Sequence, residues 1–173
     1  MYAKFGLAAA CSLSLLFAAC ATYSPRAFSP GTPIDAVTKA MGSPVAEHPL
    51  PEGGRRLEYS HAPYGRDTFM IDFDAQGRLV RWEQVASQSH FDAIRAGMTA
   101  DEVRSRIGTP SEVWSIPRQH QVVWSYRFET PFCQWFMVGI GTENRVKDTS
   151  YGPDPMCEVG RDDDILLGLH WRR

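Results

Sequence analysis

Residues 97–110 read GMTADEVRSRIGTP. The closing letters GTP invite a nucleotide reading, and the neighbouring residues exclude it. A phosphate loop needs Gly-x₄-Gly-Lys-Ser/Thr between a strand and a helix. Here the second glycine follows a helical pattern and the stretch has no lysine. The same residues instead punctuate a short helix. Thr99 is a good N-cap, and Glu102 stands three positions later, where a capping box places it. Val103 and Ile107 share one face at i, i+4 spacing, and Ile94 and Met98 extend that stripe if the preceding segment is helical. Gly108 then fits the left-handed position that ends helices, and Pro110 follows two residues on.

The same punctuation occurs earlier. Residues 31–44 read GTPIDAVTKAMGSP and align beneath 97–110 at an offset of 66, so that Gly31 meets Gly97, Val37 meets Val103, Gly42 meets Gly108 and Pro44 meets Pro110. After one inserted residue the offset becomes 67. Tyr59 then meets Tyr126, Phe69 and Met70 meet Phe136 and Met137, and Arg78 meets Arg145. One shift over so long a stretch marks an internal duplication. In the first repeat Thr32 stands as the cap, Pro33 as the first helical residue and Gly42 as the stop. Helices of this length are marginal alone, so they must pack on something.

That partner reads as antiparallel sheet. Val122, Trp124, Tyr126 and Phe128 alternate onto one face, as do Phe136, Val138 and Ile140. Thr142–Arg145 is a turn, and Val146–Tyr151 returns. The first repeat offers RLEYS, TFMIDFD and RLVRWEQV, with Asp74–Gly77 as a turn. The expected class is α+β: two tandem units of short helices followed by a three-stranded antiparallel meander, with the helices packed on one face of the sheet.

The N-terminus has a different character. Lys4 is followed by an uncharged, mostly apolar run from Phe5 to Ala19, too short to span a bilayer and of the size of a signal-peptide core. The run ends in Leu16-Phe17-Ala18-Ala19-Cys20, which resembles a bacterial lipobox, with Phe17 where leucine is commoner. On that reading Cys20 is acylated and anchors the chain in lipid. The alternative is an ordinary secretory signal with Cys20 a plain thiol. Ala21 after the cysteine, rather than aspartate, fits sorting to the outer membrane on its periplasmic face. The organisation expected is a signal peptide over 1–19, a lipidated N-terminus and tether over 20–30, repeats over 31–87 and 88–152, and a tail over 153–173. Cys133 and Cys157 then remain as an even pair in an oxidising compartment, where a disulfide between them is expected. Two buried thiols are the alternative.

GMTADEVRSRIGTP, followed by WSY and FMVGI with a returning strand, resembles the SmpA/OmlA (BamE-like) lipoprotein family. Gly31-Thr32-Pro33 departs from the Gly-Met-Thr of that pattern. The resemblance implies an outer-membrane lipoprotein that assists the machinery folding β-barrel proteins, or envelope integrity more generally. The tandem form resembles β-lactamase inhibitory proteins, which pair two related units to grip an enzyme. A structural envelope lipoprotein is a third reading.

Chemistry-bearing motifs are sparse. Composition is 43% hydrophobic and 22% charged with a formal net charge of -2, which offers no broad basic face for nucleic acid. His48, His61, His90, His120 and His170 form no ligand set by spacing, and Arg161–Asp164 lacks regularly spaced oxygen ligands, so no metal or cofactor is expected. No nucleophile elbow accompanies the serines, and the chain reads as non-enzymatic. Trp135 and Met137 point away from Phe136 and Val138 and are candidate contacts for a periplasmic or outer-membrane protein partner, since tryptophan is enriched at binding hot spots. The alternative is that the apolar run Ile165–Trp171 covers that face. If Cys20 carries lipid, metabolic palmitate labels the wild-type protein and not Cys20→Ser. Label retained in the variant rules the anchor out.

Overall fold

The computed structural model describes residues 24–157. The signal segment, Cys20 and Ile165–Trp171 lie outside the described residues. Within them the alternating segments become strands, each paired with its sequence neighbour. β1 (Ala46–Pro49), β2 (Arg55–Ser60), β3 (Thr68–Phe73) and β4 (Leu79–Gln84) form sheet 1. β5 (Glu112–Ile116), β6 (Gln121–Tyr126), β7 (Gln134–Gly141) and β8 (Val146–Pro153) form sheet 2. All pairs are antiparallel, with Leu57 opposite Ile71 in sheet 1 and Trp124 opposite Val138 in sheet 2. Three short helices accompany them: α1 (Ile34–Met41), α2 (Gln88–Phe91) and α3 (Ala100–Ile107).

This corrects the expected α+β class of three-stranded meanders with helices packed on a sheet. The protein is mostly β, built on two four-stranded antiparallel sheets with a few short helices. The strands that the sequence pattern conceals are β1 and β5. Each lies at a sheet edge, none of their residues is fully buried, and AEHP and EVWSI carry little apolar alternation. Their pairing comes from β2 and β6 rather than from their own burial. The stretch before α3 is also not a continuous helix. α2 stops at Phe91, and Ile94 is buried from a turn.

The local punctuation differs between the repeats. At α3 the capping box is complete: the Glu102 amide donates to Thr99 Oγ1 (3.1 Å), and the Thr99 amide donates to Glu102 Oε2 (2.7 Å). At α1 the cap is Pro33, not Thr32, and the helix begins at Ile34. The Thr32 hydroxyl donates to the Ser29 carbonyl (2.7 Å) instead. Beyond the caps the repeats use matching bonds. Gly31 N donates to Leu79 O (2.7 Å) as Gly97 N does to Val146 O (2.8 Å), and Ile34 N donates to Gly77 O (2.9 Å) as Ala100 N does to Asn144 O (3.0 Å). Both helices end at glycines of nearly equal φ, 84° at Gly42 and 86° at Gly108.

Each unit buries its own apolar cluster. Val37 and Met41 join Leu57, Tyr59, Ile71 and Phe73 in the first. Val103 and Ile107 join Trp124, Phe136, Val138 and Phe91 in the second, where Phe91 stacks on Phe136 at 4.6 Å between ring centres. Burying side chains of this size contributes roughly 1.5–3 kcal/mol each, which is what lets eight-residue helices exist.

The units meet through polar groups. Alternation sends Arg56, Glu58 and Asp72 to the face of sheet 1 opposite Leu57, Tyr59 and Ile71. The end of α3 lies against that face. Glu58, fully buried, accepts from the Thr109 amide (2.7 Å) and from His48 Nε2 (3.2 Å). Arg56 grips Asp72 through two nitrogens (2.6 and 2.9 Å) and donates its third to the Ser105 carbonyl in the last turn of α3 (2.8 Å). A cation at a helix C-terminus is favoured by the exposed carbonyls there. Burial pushes the Asp72 carboxyl up, but Arg56 and Arg81 outweigh that and hold it below its usual range.

Gly108 has no room for a side chain at this junction. A Cβ there would lie 2.8 Å from Thr68 Cγ2 and 2.9 Å from Glu58 Oε1, whereas one at Gly42 would meet nothing within 4 Å. Both glycines combine positive φ with an extended ψ, -167° at Gly42 and -168° at Gly108, a region essentially confined to glycine, so alanine at either position incurs strain on the order of 1–3 kcal/mol. Gly108→Ala is therefore expected to cost at least ~1 kcal/mol more than Gly42→Ala in urea unfolding, because only it pushes the units apart. Equal losses would show that the α3 contact contributes little.

Candidate protein-contact surface

Two equivalent loops, residues 61–67 between β2 and β3 and residues 127–133 between β6 and β7, lie together. Both are too long for tight two-residue hairpins, so their shape must come from contacts other than the strand ladder. In the first loop the Gly65 amide donates to the His61 carbonyl (2.8 Å) and the Ala62–Pro63 peptide is cis. A Cβ on Gly65 would collide with His61, lying 2.9 Å from its carbonyl oxygen. In the second loop Phe128 is buried against Phe91 in an edge-to-face contact at 5.1 Å.

Arg127 joins the loops. Its guanidinium donates to the Pro63 carbonyl (2.6 Å), to Asp154 Oδ2 (2.8 Å) and to Glu112 Oε1 (3.0 Å), and it lies over the Trp135 ring at 5.1 Å. Burial alone would lower its pKa, but bonding to Asp154 and Glu112 outweighs burial and raises it. Arg127 thus stays charged, with both carboxylates and a loop carbonyl as fixed partners. Arg66 also approaches Glu129 (3.3 Å), an exposed pair that contributes little to stability and indicates only that the loops touch. Cys133 and Cys157 form a disulfide with Cα atoms 6.2 Å apart, and the Asp154 amide donates to the Cys133 carbonyl (3.1 Å). The end of the second loop is therefore held covalently as well.

On this braced platform each loop exposes an aromatic ring, Tyr64 at 73% and Phe132 at 77% exposure. Exposed rings on restrained backbone lose little conformational freedom when they enter a partner's pocket. Neither was singled out by the sequence reading. The signal present was an aromatic directly after a proline in the turn-rich residues of each loop, SHAPYGRD and ETPF, one position out of step at the offset of 67.

The residues that the sequence does single out lie elsewhere. Trp135 is only 5% exposed and stacks on Trp114 at 5.3 Å. Met137 is half-buried on the same outer face of sheet 2. Of the histidines, His48 pairs with Glu58, and His90 lies 2.9 Å from Glu83 and 2.7 Å from the Ser87 hydroxyl. Among the described residues no three His, Cys, Asp or Glu side chains converge as a metal site. His170 and Arg161–Asp164 lie outside them.

No family model matches the chain, and no curated protein does. Among solved structures it is similar to a DUF4309 family protein of Bacillus subtilis, at 12% identity and a TM-score of 0.29 over 71% of this chain and 79% of that one. A cysteine-rich secretory protein of Staphylococcus aureus matches at 9% identity and a TM-score of 0.28, over 73% of this chain and 45% of that one. An extracellular SCP-domain protein of Bacillus anthracis matches at 11% identity and 0.28, over 72% and 44%. The chain spans less than half the length of the last two. Likeness at this level carries no statement about fold or activity.

Removing Arg127 leaves Asp154, itself 4% exposed, without its partner. Breaking a buried pair from one side costs about 3–5 kcal/mol, so Arg127→Met is expected to lower the unfolding free energy by that order. Denaturant titration with the disulfide intact measures it. A loss below ~1 kcal/mol would mean that Arg127 does not brace the loops.

Proposed function

We propose that this chain is a non-enzymatic, lipid-anchored protein-interaction module of the outer-membrane periplasmic face, acting in β-barrel protein assembly or envelope integrity. Cys20 supplies the anchor, and the paired loops carrying Tyr64 and Phe132 supply the contact. The observation that carries the contact is the combination of high exposure and bracing: the two rings stand on loops joined through Arg127, the second of which is also held at its end by the Cys133–Cys157 bridge. The lipobox-like Leu16–Cys20 segment and the SmpA/OmlA-like GMTADEVRSRIGTP stretch support the location and the general role.

A second reading, a tandem-repeat inhibitor of an enzyme, draws on the same loops. Two equivalent loops side by side are suited to entering one concave site. The readings differ in the identity of the captured protein. Crosslinking and affinity capture of the full, Cys20-anchored chain brings down barrel-assembly subunits on the first reading and a single hydrolase on the second. In either case Tyr64→Ala and Phe132→Ala are expected to weaken capture about tenfold or more, as hot-spot truncations do. Both rings are exposed, so the unfolding midpoint should stay where it is. Capture unaffected by both substitutions would remove these loops from the contact.

A further inference from the structure

The outer face of sheet 2 has the composition of a covered surface. Trp114 is paired across the ladder with Val123, and Val123 with Gly139. Val123 is 6% exposed and Trp135 5%. Beside Val123 runs a groove of about 350 Å³ formed by sheet 2 and its turns alone, with Trp114, Ile116, Val123 and Met137 as its apolar lining and Gln121 and Asp148 among its polar lining. We propose that residues Ile165–Trp171 of this same chain lie in that groove, over Trp114, Val123 and Met137.

The repeat itself shows what this face does in a unit. At an offset of 67, Arg56, Glu58 and Asp72 of sheet 1 correspond to Val123, Ser125 and Gly139 of sheet 2. In sheet 1 those charged residues receive the end of α3. In sheet 2 the charges are gone and Trp114 and Trp135 stack beside the equivalent positions. The cover required here is therefore an apolar segment rather than a helix end with polar groups to satisfy.

The path of the chain leads to the groove. β8 finishes at Pro153 beside Gln134, and Asp154 is bonded to Arg127, which lies over Trp135. The bridge then fixes Cys157 next to the start of β7. The described chain thus ends, at Cys157, near the Trp135 end of the outer face. The seven residues Glu158–Asp164 reach up to about 23 Å when extended, while Trp135 to Gly139 along β7 covers only about 14 Å. They include Arg161–Asp164, which suit a solvated crossing. ILLGLHW, which follows, brings apolar side chains to match Trp114, Ile116, Val123 and Met137 in the groove. A second copy of the chain is the competing occupant, and it requires no such tether. This inference does not rest on the proposed partner or on the paired loops.

A photo-crosslinking p-benzoylphenylalanine in place of Leu167, in the otherwise complete protein, tests it. Irradiation of dilute protein is expected to give intramolecular adducts on peptides holding Trp114 or Met137. Adducts confined to other surfaces, adducts between two chains, or no adduct on sheet 2 would each overturn the proposal. Methionine oxidation gives an independent readout, with Met156, already exposed at 49%, as the internal reference. In Leu166→Asp/Leu167→Asp, Met137 should oxidise with peroxide roughly tenfold faster relative to Met156 than in the wild type. An unchanged ratio overturns the proposal.

Discussion

Glu58 sets the arrangement of the molecule. It is a carboxylate with no exposure to solvent, in the second strand of the first sheet. Such a group is tolerated only where hydrogen bonds replace the water it has lost. Its replacements are the Thr109 amide of the second unit and the His48 ring on the neighbouring strand. The two units are thereby fixed to each other by a bond that neither can satisfy alone. Arg56 adds a second polar tie to the same helix end, with Asp72 neutralising it from one side and Ser105 receiving it from the other. Apolar burial stabilises each unit from within. The directed polar bonds determine where one unit sits on the other.

This division explains an asymmetry between the sheets. The faces that meet the short helices are alike in both units, because each must receive a valine and a second apolar side chain from a helix of eight residues. The opposite faces are free to differ, and they do. One carries Arg56, Glu58 and Asp72 and receives α3, while the other has Val123, Ser125 and Gly139 at those positions, with Trp114 stacked on Trp135 on the same face. The bracing at the loop end follows the same pattern. A buried arginine with two carboxylates is a costly arrangement to assemble, but once assembled it allows few alternatives. It holds two loops whose backbones have little regular structure of their own.

Much of the architecture was legible in residues with strong local requirements. Thr99 and Glu102 announced the capping box, Gly42 and Gly108 the helix ends, and Phe136, Val138 and Ile140 a buried strand face. The repeat was visible because these requirements recur at one offset. What stayed hidden depends on neighbours distant in sequence. β1 and β5 pair because β2 and β6 offer them an edge, and nothing in AEHP enforces it. The burial of Glu58 carried no signal in RLEYS, since its reason lies fifty-one residues away. Trp135 stayed open between contact and cover because alternation reports which face a side chain takes and not what stands on that face, and it is 5% exposed. Tyr64 and Phe132 sit in loops, where periodicity carries no information.

The loss of charge between equivalent positions has a consequence for how the duplication could have grown. A stack of such units extends only if each sheet offers the next helix a seat, and the seat is made by the arginine, glutamate and aspartate of the first sheet. With Val123, Ser125 and Gly139 in their place, the second sheet would leave the amide and carbonyls of an incoming helix end unmatched. Three altered side chains thus leave the second sheet without the polar seat that the first gives to α3, so the two faces cannot substitute for one another as docking surfaces.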